Sequence, residues 1–128
     1  MNTVTFNKKL PLVVVSVSIK KGTVVYDFNF AIDTGASVSL IDIEVLRAIG
    51  YDKKRSIRTV QTMTASQREM AYEFKIGNIQ AIGLIRRNFK VISRTLPTGL
   101  GIDGLLGLNF FHNKELVIDF KTSKVRLS

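Results

Sequence analysis

The chain contains no cysteine, one histidine, two prolines, and no apolar run long enough to cross a membrane. Without cysteine there are no disulfides, no thiolate metal sites and no cysteine nucleophile. A single histidine, His112, leaves no histidine cluster for zinc or iron. The apolar run at residues 10–19 is interrupted by Pro11, Ser16 and Ser18 and followed by Lys20 and Lys21, not by a small-residue cleavage site. It is too short to span a bilayer and lacks the features of a secretory signal. It reads as a strand, and a cytoplasmic location is the default expectation.

What is present suits one compact domain covering residues 1–128, with enough apolar residues (45%) for a core of its own. The net charge is +9. The basic residues are scattered among Lys53-Lys54-Arg55, Arg86-Arg87 and the stretch from Lys121 to Arg126, with no aromatics interleaved as a base-stacking platform would need. The charge therefore reads as a solvated surface, and no nucleic-acid partner is expected.

Alternation dominates the first third. Val13, Val15, Val17 and Ile19 alternate with polar residues, Lys21-Gly22 offers a turn, and Tyr26, Phe28, Phe30 and Ile32 share the next face. This predicts a hairpin whose second strand delivers the chain to Asp33. Residues 40–49 switch to a helical stripe of Val45, Leu46 and Ile49, with Asp42 as cap and Gly50 as stop. Further on, residues 58–63 and 70–76 predict a hairpin around Thr64, Ala65, Ser66 and Gln67. Residues 89–92 predict a strand, 95–104 a loop, 108–112 a short helix, and 116–120 with 125–127 a closing hairpin.

Ala31-Ile32-Asp33-Thr34-Gly35-Ala36-Ser37 places a carboxylate at the end of a buried strand with a glycine two residues on. Gly35 would permit a tight turn with positive φ and close approach of another chain. Thr34 has a hydroxyl that could lock the turn. An Asp-Thr-Gly triplet alone is weak, since an ordinary Asp turn has the same composition. A second segment, Gly101-Ile102-Asp103-Gly104-Leu105-Leu106-Gly107-Leu108-Asn109-Phe110-Phe111, adds to it.

Together the two segments resemble the retropepsin-like aspartic peptidases, the single-domain homodimeric relatives of pepsin. The first matches their apolar–apolar–Asp-Thr-Gly-Ala/Ser loop. In the second, Leu105-Leu106-Gly107 matches the apolar–apolar–Gly motif that packs beside that loop. The order of elements agrees over residues 10–127. The resemblance implies an all-β acid-protease barrel of the pepsin/retropepsin type, one lobe per chain, with one or two short helices. It implies a homodimeric endopeptidase acting on extended polypeptide, with no cofactor, metal or membrane. Asp33 would be the catalytic carboxylate, paired with that of a second copy. Thr34 and Gly35 would support the loop, and Thr34 would cross-link the two loops. Gly35, Ala36 and Ser37, with Thr64, Ala65, Ser66 and Gln67 of a covering flap, would contact substrate. The flap candidate has no glycine, unlike many members, and Ala36 stands where pepsin-like members often carry serine. The alternative is a homodimeric binding module of the same fold with weak or lost proteolysis. Asp103 reads as a turn residue, His112 as a surface or capping group, and Asp119 as the polar face of an edge strand.

Overall fold

The computed structural model describes residues 2–63, 68–97 and 99–128. Strands make up 54% of the described residues and helix 10%. The strands are β1 (Asn2–Thr5), β2 (Val14–Lys21), β3 (Val24–Ile32), β4 (Ser39–Asp42), β5 (Arg58–Met63), β6 (Arg68–Ala81), β7 (Leu84–Arg94), β8 (Gly104–Leu106), β9 (Leu116–Asp119) and β10 (Lys124–Leu127). One α-helix, α1 (Ile43–Ala48), follows β4, and a 3₁₀ helix, Leu108–Phe110, follows β8.

Seven strands form a sheet in the order β2-β3-β8-β4-β7-β6-β5, and a further β2–β6 pairing closes six of them into a barrel. Phe30, Ile41, Ile76, Val91 and Leu106 point inward and are fully buried. Gly104 sits between Phe30 and β4; a Cβ there would lie 2.5 Å from the Leu40 carbonyl and 2.6 Å from the Phe30 ring. The ring thus fills the space a side chain would take. The β5–β6 hairpin projects from the barrel, with Arg58 opposite Glu73 and Met63 opposite Arg68. The terminal strands form a separate sheet ordered β1-β10-β9.

The expected β2–β3 and β9–β10 hairpins are present, as is the cap at Asp42, whose carboxylate accepts from Glu44 N at 2.8 Å. Four elements differ from expectation. The predicted helix starts at Ile43, because Ser39–Asp42 is a strand held between parallel β7 and antiparallel β8. A short strand buried on both faces gives no alternation to read. β6 runs on to Ala81 and β7 begins at Leu84, well beyond the predicted limits. The predicted 108–112 helix is a three-residue 3₁₀ turn.

Candidate active site

Asp33 is the first residue beyond β3, and backbone pairing fixes its place. Its N–H donates to the Leu106 carbonyl at 2.9 Å, extending the parallel ladder in which Ala31 faces Leu105 and Ile32 faces Leu106. The chain then turns sharply, with Ala36 N donating to Asp33 O at 3.2 Å. Gly35 N donates to Asp33 Oδ1 at 2.9 Å, which fixes the carboxylate against the loop's own backbone. Gly35 does not adopt positive φ, contrary to expectation. What a side chain would meet here is the carboxylate itself, since a Cβ would lie 3.2 Å from Asp33 Oδ1, a tight contact.

The structure brings Leu105, Leu106 and Gly107 directly beside this loop. Leu108 N donates to Ala36 O at 2.8 Å, and a Cβ on Gly107 would lie 2.7 Å from that same oxygen. Thr34 and Ser37 are exposed and Ala36 is half-buried. Among the described residues the Thr34 hydroxyl has no hydrogen bond within the chain, so it is free to meet another molecule. Thr64, Ala65, Ser66 and Gln67 lie outside the described residues.

Ser39 and Asn109 also support the loop, and the sequence reading did not single them out. Asn109 Oδ1 accepts from both Ser39 N and Ser39 Oγ at 2.8 Å, while Gly107 N donates to Ser39 Oγ at 2.9 Å. Asn109 Nδ2 donates to the Lys90 carbonyl at 2.8 Å. These bonds join β4, β7 and the 3₁₀ helix immediately behind the Asp33 turn. Their only sequence signal is a lone amide in an apolar run. On the far side of that helix, Arg86 donates to the carbonyls of Phe110 and His112, at 3.0 and 2.6 Å.

Asp103 is bound elsewhere. Its Oδ2 accepts from Asn29 N at 2.9 Å and its N–H donates to Asn29 O at 2.7 Å. Asn29 lies four residues before Asp33 on β3, about 13 Å along an extended chain. Asp103 is thus a clasp between strands and no neighbour of Asp33. His112 is exposed, and Asp119 closes the turn after β9 by accepting from Lys121 N and Thr122 N at 2.9 and 3.0 Å. The Thr122 backbone N–H is the main reason the Asp119 carboxyl titrates below its ordinary value, followed by the Thr122 hydroxyl; desolvation opposes them, and Lys121 N–H and Arg126 add smaller lowering effects.

Cavities of about 350, 260 and 300 Å³ open on the surface, and none is lined by Asp33. Asp33 itself is half-buried, at the start of a loop whose Thr34, Gly35 and Ser37 are exposed. Among the described residues no cluster of three or more histidine or acidic side chains could hold a metal, and no helix is long and apolar enough to cross a membrane.

Comparison with known proteins bears on this geometry. The family described as aspartyl protease matches residues 15–110. A retropepsin-like aspartic protease from Rickettsia conorii, known from its crystal structure, shares the fold with a TM-score of 0.72 at 22% identity, over 98% of this chain and 87% of that one. No curated protein sequence matches the chain significantly.

Proposed function

Because the chain belongs to the aspartyl protease family and has the retropepsin-like fold, we propose that it is an aspartic endopeptidase, a single domain that works as a homodimer. The observation that carries this reading is the orientation of Asp33: its carboxylate is held by Gly35 N at 2.9 Å on an exposed loop, with only one such loop per chain. A second copy related by a two-fold axis would supply the missing half.

Two carboxylates at hydrogen-bond range cannot both ionise comfortably and keep one proton between them. The ionised member takes a proton from a water, which attacks the peptide carbonyl. The protonated member donates a hydrogen bond to the carbonyl oxygen as charge develops there. Thr34, exposed and with no hydrogen-bond partner among the described residues, is suited to join the two loops. Gly35, Ala36 and Ser37 would border the substrate, with Thr64, Ala65, Ser66 and Gln67 above it.

Incubating the purified protein with a varied peptide pool, beside an Asp33→Ala control, tests the proposal. Cleavage is expected from the parent protein alone. Equal cleavage by both proteins, or none by either across acidic to neutral pH, would overturn it.

A further inference from the structure

Strand register draws one line of side chains across the outside of the barrel. Ala31 faces Leu105, Leu105 faces Leu40, Leu40 faces Ile92, and Ile92 faces Glu73. Residues paired across strands share a face, and Asp33, two positions after Ala31, falls on that face by the period of an extended chain. The line is apolar over its first four members, two of them buried and two half-buried. At the β2 end it meets a hollow of about 260 Å³ lined by Leu10, Leu12, Val14 and Leu100, Val14 being the partner of Ala31.

At the other end the chemistry changes. The buried Glu73 carboxylate receives Arg58 Nε at 2.8 Å and lies 3.6 Å from Lys90 Nζ. Lys75 stands directly opposite Lys90 across β6 and β7, a like-charge arrangement that is unfavourable by itself. Among the described residues no acid pairs with Lys75. Three cations therefore gather around one carboxylate. A further carboxylate arriving here would relieve repulsion, whereas a further cation would add to it.

We infer that this outer face selects peptides carrying an acidic residue several positions from the bond cleaved, beyond apolar residues nearer to it. The inference rests on the peptidase reading and gives it a substrate class. From β3 the line crosses three strand spacings to β7 and four to β6, about 14 to 19 Å at about 4.8 Å each. An extended peptide covers that distance in about four to six residues. The acid is read by Lys75 and Lys90, with Glu73 holding Arg58 and Lys90 in place.

The test uses otherwise identical peptides with Glu, Gln or Lys at the outer positions. Their binding to the Asp33→Asn protein is measured by fluorescence anisotropy at low and high salt, and their cleavage by the parent protein is measured separately. The Glu peptide is expected to bind about fivefold more tightly than the Gln peptide, within the range of exposed charge pairs. The Lys peptide should bind most weakly, and the differences should shrink with salt. Lys75→Gln combined with Lys90→Gln should erase the preference. Equal binding of the three peptides, a preference that survives in the double variant, or tighter binding of a single-stranded oligonucleotide than of the acidic peptide would each overturn the inference. Selective binding without cleavage would remove the peptidase reading and leave only this face's preference for an acidic peptide standing. Cleavage without acid preference would do the reverse.

Discussion

The amide of Asp33 donates to the carbonyl of Leu106 at 2.9 Å, joining two segments far apart in the chain. The hydrogen bond continues the β3–β8 ladder by one residue. The carboxylate is thus positioned by sheet pairing, and the loop contributes only its final orientation through Gly35. A group placed this way holds its geometry without substrate, as a preorganised site requires.

Two acidic residues near that ladder make a contrasting pair. Asp33→Asn removes the proposed reacting carboxylate and should lower kcat/KM for a peptide substrate by on the order of 10³ or more. Asp103→Asn retains an oxygen able to accept from Asn29 N and should leave kcat/KM within a few-fold. Circular dichroism would confirm that both proteins fold. Comparable losses in the two variants would contradict the assignment.

Glycine substitutions separate crowding from backbone strain. A Cβ on Gly107 would press on backbone atoms of Ala36 and Val38 at 2.7 and 2.8 Å, and no side-chain rotation can relieve that. Gly107→Ala should cost roughly 1–3 kcal/mol of stability, as overpacking does. A Cβ on Gly77 would meet nothing within 4 Å, and Gly77→Ala should be neutral or stabilising by under about 1 kcal/mol. Urea denaturation of both would show the difference.

Behind the loop, Asn109→Ala would strand the fully buried Ser39 N–H and hydroxyl. An unsatisfied buried donor costs about 1–3 kcal/mol. Stability should fall by about that amount, and kcat with it, because Gly107 and Leu108 brace the Asp33 turn. Asn109→Asp keeps the acceptor but turns a carboxylate oxygen toward the Lys90 carbonyl, so it should recover only part of both. Equal damage from the two substitutions would show that the acceptor is not what matters.

How much could be read in advance followed the range of each signal. The β2–β3 hairpin was legible because its alternation is local, and so was Asp42 as a cap. β6 was legible only to Ile76, because the buried positions shift from Phe74 and Ile76 to Ile79 and Ala81 and the alternation breaks there. β4 carried no period at all. The Asp-Thr-Gly triplet marked the candidate site, but its glycine does not take the positive φ expected of it, and a Cβ there would instead crowd Oδ1. The Ser39–Asn109 contact was invisible, since nothing local announces a hydrogen bond between residues that distant in sequence.

Dilution tests the half-site directly. If each chain supplies one Asp33, specific activity should fall as the concentration drops through the dimer dissociation constant, in step with the dimer fraction seen by sedimentation. Specific activity that stays constant where sedimentation shows only monomer would rule out the shared dyad.

The sheet carrying both termini has its own dependence on pH. Asp119 titrates below the ordinary 3.8 in the folded chain, chiefly because Thr122 N–H donates to its carboxylate. Unfolding removes those donors, so the unfolded chain takes up the proton more readily. The stabilisation is therefore complete above the unfolded value and disappears as pH falls through the folded one. Asp119→Ala should lower Tm at about pH 7, and the deficit should close as pH falls through the lowered folded-state value, below which both states are protonated. A deficit constant across that range would mean that Asp119 acts through packing and not through its charge.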